Sequence, residues 1–186
     1  MTKVEELPNI SDYKDLSNLP YLLVGIFIVD VIVLFLAKYN VIGGKTLNDW
    51  YDKFGLLAVI ADVISILIGF ILGQIIYTHF IMPYYGWNPI IFILLIVFIQ
   101  IMHDILFYFF VVLPIPKGHN SIIDMFKIYA ENNKDNKTVL VVSNSMMMIG
   151  SAFITFMLKS LPDYATSSIG IVTIYTLPYI LSTKQQ

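Results

Sequence analysis

The chain has 186 residues, is 58% hydrophobic and 13% charged, and carries a net charge of −2. A soluble domain of this length would be about 45–50% apolar and about 25% charged, so the surplus of apolar residues, gathered in long blocks, excludes an ordinary globular domain and points to a membrane. Cysteine is absent, which excludes disulfides, thiolate catalysis and cysteine-held metals or clusters, and the small negative charge gives no signal for nucleic acid as a partner.

Residues 1–20 read as a polar N-terminal tail, with Glu5, Glu6, Asp12 and Asp15 against Lys3 and Lys14 and with Pro8 and Pro20 as punctuation. A signal peptide would need a basic start running straight into a short apolar core, so none is expected. The first apolar block, 21–37, stops at Lys38 and holds one charge, Asp30. Roughly 17–25 residues at about 1.5 Å each cross a bilayer, so this block predicts a span. Gly43-Gly44 breaks the chain, and Thr46-Leu-Asn-Asp49 reads as a capping box opening the next helix. That helix is expected to start with a polar turn, Asn48 to Lys53, with Trp50 and Tyr51 at the membrane interface. Its spanning part is 54–77. Asp62, Ser65, Gly69 and Gly73 share one stripe, and Gly69 and Gly73 form a GxxxG suited to close helix packing.

Residues 82–89 read as a turn, and 89–113 as the third span, ending at Pro114 and Pro116. Gln100, His103 and Asp104 fall at i, i+3 and i+4 and so share one face of that helix. Ser121-Ile-Ile-Asp124 reads as a second capping box, opening an amphipathic, interfacial helix over 121–133, too polar to span. After a solvated loop, Asn132 to Lys137, the fourth span covers 138–158. Its stripe of Ser143, Asn144, Met147, Gly150 and Ser151 suits the inside of a bundle. A shorter stretch, 167–181, interrupted by Pro178, gives a fifth span or a re-entrant segment. Residues 183–186 form a C-terminal tail. The fold class expected is all-α: a polytopic transmembrane bundle of four or five spans, forming one domain over 21–182.

Lysine placement predicts orientation. With five spans, Lys38, Lys45, Lys53, Lys117, Lys127, Lys134, Lys137 and Lys184 share one side, and Lys3, Lys14 and Lys159 the other. Positively charged loops stay inside, so 38–53 and 115–137 are expected in the cytoplasm and the N-terminus outside.

Counted from the lysine-rich helix ends, Asp30, Asp62, Asp104 and Asn144 all lie about 10–15 Å deep. If those faces turn inward, Asp30, Asp62, His103, Asp104 and Asn144 make one buried polar layer, with Gln74 and Gln100 deeper. An intramembrane charge costs about 2.5–3.5 kcal/mol on insertion scales, so such groups must find partners. Three carboxylates that close could not all stay ionised; a proton or a cation would be held among them. Oxygen ligands with one imidazole would suit a hard or borderline divalent ion. The plainer reading is that these residues hydrogen-bond across helices and fix their register. Catalysis by His103-Asp104 is the least favoured, because no nucleophile or metal motif accompanies the pair. Retinal would need a lysine inside a span and bis-histidine haem two buried histidines. Neither is expected, and no cofactor is. Asn136-Lys-Thr138 matches a glycosylation acceptor but falls on the expected cytoplasmic side.

The runs NDWYDKFGLLAVIADV (Asn48 to Val63), QIMHDILFY (Gln100 to Tyr108) and PIPKGHNSIIDMFKIYAEN (Pro114 to Asn132) resemble a family of uncharacterised multi-pass membrane proteins from large double-stranded DNA viruses of algae and protists, over about residues 46–158. The resemblance implies a viral setting, such as the inner virion membrane or a host membrane used in assembly, and brings no site residues with it. The partners expected are the lipid bilayer, further copies of the chain, or other membrane or capsid proteins. The leading expectation is a non-enzymatic structural component of such a membrane. The alternative is a small proton or cation channel or transporter using Asp30, Asp62, His103 and Asp104.

Overall fold

The computed structural model describes residues 7–39, 41–42, 44–132 and 134–184, leaving aside the side chains of 44–46 and 129–141. The Gly43 breaker, the side chain of Thr46 and the side chains of the Asn136–Thr138 motif lie outside the described residues. Among the described residues seven helices follow one another: α1 (Asn18–Lys38), α2 (Gly44–Phe54), α3 (Leu56–Tyr85), α4 (Pro89–Val112), α5 (Ser121–Asn132), α6 (Lys134–Lys159) and α7 (Asp163–Leu181). No strand occurs among the described residues, and the fold is an all-α bundle. Among those residues α1, α3, α4 and α7 are long and apolar enough to cross a membrane, an architecture compatible with an integral membrane protein. The 138–158 block lies in α6, which takes the middle of the bundle against α1, α3, α4, α5 and α7.

Close approach is bought with glycine. A Cβ on Gly25 of α1 would stand 2.5 Å from Thr155 Oγ1 and 3.2–3.3 Å from the α6 backbone at Thr155 N and Ser151 O. A Cβ on Gly69 would meet Met148 Cε at 2.5 Å and Gln100 Oε1 at 2.9 Å, and one on Gly73 would collide with Ile96 Cγ2. Those two glycines therefore seat α3 against α4 and α6. Gly150 is different: Val29 lies at 3.5 Å from its Cβ position, an ordinary contact that a larger residue would share.

Four boundaries differ from the sequence reading. The helix expected to run from Thr46 through Tyr77 is broken at Gly55, whose φ of +52° is a conformation that suits glycine. Residues Gly44–Phe54 form their own helix, with Thr46 inside it rather than capping it. At its far end α3 runs past Tyr77 to Tyr85, through a π turn over Tyr77–Ile81. Pro83 is accommodated because it falls in the first turn of the α segment that follows, where its missing N–H costs no helical bond. The cap of α5 is Asn120, whose Oδ1 accepts from Ile122 N at 2.9 Å and Ile123 N at 3.1 Å, while Asp124 accepts from Gly118 N. Finally, Lys134 to Lys137, expected as loop, open α6.

Residues 7–17 are a fitted strap rather than a loose tail. Ile10 and Ser11 are fully buried. Gln74 Nε2 donates to Ile10 O at 2.7 Å, Thr78 Oγ1 to Ser11 O at 2.9 Å and Trp87 Nε1 to Leu7 O at 2.8 Å. Lys159 Nζ donates to Asn9 O at 2.9 Å and to Asn18 Oδ1, and lies 3.7 Å from Asp15. The strap thus ties the start of α1, the α3–α4 turn and the end of α6 together. Asp15 is held below the ordinary carboxylate range chiefly by the Ser17 hydroxyl, against the opposing effect of burial, with the Ser17 backbone N–H and Lys159 assisting. The opposite, lysine-rich end carries Lys38, α2 and α5, and there Lys38 pairs with Asp52.

Candidate functional site

The polar side chains expected in one layer are bonded in two groups. The first joins α1, α2 and α3. The turn at Gly55 folds α2 back against the bundle, and its apolar side sends Trp50 and Tyr51 inward, 5% and 1% exposed. These are core residues, not the interfacial aromatics their flanking charges suggested. Trp50 Nε1 donates to Asp62 Oδ2 at 3.1 Å. The Tyr51 hydroxyl stands between two carboxyl groups, 3.2 Å from Asp30 Oδ1 and 3.3 Å from Asp62 Oδ2. Asp30 is wholly buried and its Oδ2 has no hydrogen-bond partner, whereas Asp62 is only half-buried.

The second group joins α4 and α6 through Asp104. Its Oδ1 takes Gln100 Nε2 at 2.9 Å, one helical turn back, and lies 3.2 Å from His103 Nδ1. Its Oδ2 accepts from Asn144 Nδ2 at 2.9 Å across the helix interface. Both carboxyl oxygens are therefore served, as a polar group between helices requires. The His103 ring stacks on Phe107, with centroids 6.0 Å apart. Gln100 is fully buried, and its unused Oε1 faces the space that Gly69 leaves open.

The two groups suit different tasks. Asp104 with three nitrogen neighbours is a satisfied acceptor that locks α4 to α6. Asp30–Tyr51–Asp62 is an unsaturated chain: one hydroxyl proton lies between two carboxyls. Among the described residues no three His, Asp or Glu side chains converge as a metal site would need.

Gln74 sits far from the first group. Twelve residues separate it from Asp62 along α3, about 18 Å at 1.5 Å per residue. The buried α3 positions between them are Val63, Ile66, Gly69, Phe70 and Gly73, and Gln74 itself is taken by the strap.

Sequence reasoning missed Tyr51, Trp50, Gly25 and the strap. The Trp50-Tyr51 pair beside Gly55 was the available signal, since a glycine inside an apolar pattern marks a possible break. Gly25 is a lone glycine without the small-xxx-small spacing that drew attention to Gly69, whereas Gly170 stands four residues after Thr166, and a Cβ on it would lie 2.9 Å from Val24 Cγ2. No protein-family model, characterised protein or solved structure matches the chain.

Proposed function

We propose that this protein is a multi-pass, non-enzymatic structural component of a membrane, with the lysine-rich end in the cytoplasm. The observation that carries the reading is the division of the polar residues. Asp104 is bonded at both oxygens within its group, and Gln74 is bonded to the strap. On α3, Asp62 and Gln74 are separated by buried positions that are apolar or glycine. On α6, Ser151 and Thr155 extend toward the strap end, but the α1 backbone at Gly25 lies against them. A channel or transporter needs a connected, hydrated route, and this arrangement supports clamps between helices instead. Interhelical hydrogen bonds in membranes contribute about 0.6 kcal/mol on average, reaching about 1.7, which is enough to bias register without making the bundle rigid.

The lysine asymmetry supports the orientation. The resemblance of the three runs between Asn48 and Asn132 supports a viral setting, either a virion inner membrane or a host membrane used in assembly.

The test is flux. Purified protein in liposomes, under a proton gradient and separately under a sodium or potassium gradient, should pass no more ions than empty liposomes. Proton or cation flux that is abolished by Asp62→Asn or Asp104→Asn would replace the structural reading with the transport one.

A further inference from the structure

We propose that Asp30, Tyr51 and Asp62 form a binding site for one exchangeable proton, held on Asp30 and delivered from Asp62 through the Tyr51 hydroxyl. Tyr51 has one hydroxyl proton and one oxygen able to accept. Its oxygen lies within hydrogen-bond distance of both Asp30 Oδ1 and Asp62 Oδ2. It can donate to one of them, and the other contact becomes a hydrogen bond only when that carboxyl brings a proton of its own.

Burial decides which carboxyl that is. Asp62 has a second donor, Trp50 Nε1 at 3.1 Å, and is half-buried. Asp30 has no other donor, is wholly enclosed, and leaves Oδ2 unpartnered. An unpartnered oxygen is tolerable on a neutral acid, where it is a carbonyl, and far more costly on a buried anion. The arrangement that satisfies every contact has Asp30 O–H donating to the Tyr51 oxygen, Tyr51 O–H donating to Asp62, and Trp50 N–H donating to Asp62. The charge then rests on the more open carboxylate. Release runs the chain the other way. The Tyr51 proton passes to Asp62 as the Asp30 proton passes to Tyr51, and Asp62, the outer end of the chain of three, then gives one up.

The neighbouring charges do not disturb this count. On the elements that meet here, α1 also carries Lys38, which is paired with Asp52 of α2. Helix α2 further carries Lys45, Asp49 and Lys53, α3 has no other ionisable group before Tyr77, and His103 and Asp104 on α4 belong to their own group. The site is independent of whether the bundle passes ions.

Infrared spectroscopy of the full chain in liposomes at neutral pH tests the site directly. A protonated-carboxyl stretch is expected in the wild type. It should disappear in Asp30→Asn and persist in Asp104→Asn, because Asp104 has donors on both oxygens. On transfer to D2O the band should shift, and Tyr51→Phe should slow that shift about a hundredfold, the usual worth of a positioned proton-transfer group. A wild type lacking the band, or a band that survives Asp30→Asn, overturns the proposal. Should Asp30→Asn fail to assemble, Tyr51→Phe still decides: loss of the hydroxyl must move the band, and an unmoved band overturns the proposal as well.

Discussion

Gly25→Ala followed by Thr155→Ala tests the tightest contact in the bundle. A Cβ at position 25 would lie 2.5 Å from Thr155 Oγ1, against an ordinary contact of about 3.4 Å or more. Thr155 cannot swing aside freely, because its hydroxyl donates to Ser151 O at 2.7 Å. Overpacking of this kind costs about 1–3 kcal/mol. Alanine returns about 0.5–1 kcal/mol relative to glycine in a helix. The single substitution should therefore destabilise by about 1–2 kcal/mol, or about 2–8 °C in Tm for a chain of this size. Thr155→Ala removes the offending atom. The next atoms are the backbone Thr155 N at 3.2 Å and Ser151 O at 3.3 Å, so a shift of a few tenths of an ångström relieves them. The double variant should be more stable than the sum of the singles by about 1 kcal/mol or more, measured by thermal unfolding in one detergent. Additivity within about 0.5 kcal/mol would refute the contact.

Gly73→Leu should lower the melting temperature more than Gly150→Leu, since its Cβ would collide with Ile96 while Gly150 has ordinary clearance; equal effects in the same detergent would contradict the α3–α4 packing. Asn144→Ala should cost about 0.6–1.7 kcal/mol by removing the cross-helix donor to Asp104, whereas Asp104→Asn should cost less because Asn144 can present its oxygen to the new amide. Thermal unfolding of both variants checks the order, and the reverse order would remove the clamp. For the strap, the depressed Asp15 carboxyl contributes stability that is present above its ordinary value near 4 and is lost as pH falls through its lower folded value. Asp15→Asn should therefore destabilise the protein near neutrality and leave it equal to the wild type near pH 2; a constant difference across that range would contradict the assignment.

The helices were legible because the apolar blocks are long and their ends carry lysine or proline. Gly69 and Gly73 were legible because their spacing is periodic. Asp104 was legible as a residue in need of a partner, and Asn144 as one of several able to serve. What the sequence could not show was how α2 folds back. That depends on the positive φ at Gly55, a backbone choice that many glycines never make, and it turns Trp50 and Tyr51 from interfacial residues into ligands of Asp62 and Asp30. The strap was hidden for another reason. Its bonds run largely from side chains on α3, on the α3–α4 turn and on α6 to backbone carbonyls of residues 7–11, and a carbonyl is the same at every position of the chain.

Sidedness tests the membrane architecture most directly, and the absence of native cysteine makes it clean. Tyr85→Cys places a thiol at the exposed α3–α4 turn beside the strap, and Lys53→Cys one on the exposed side of α2 at the lysine-rich end. In intact cells carrying the protein in their surface membrane, a membrane-impermeant thiol reagent should label the thiol at position 85 at once and the one at 53 only after permeabilisation. Equal labelling of both sites in intact cells, or labelling of 53 alone, would contradict the account.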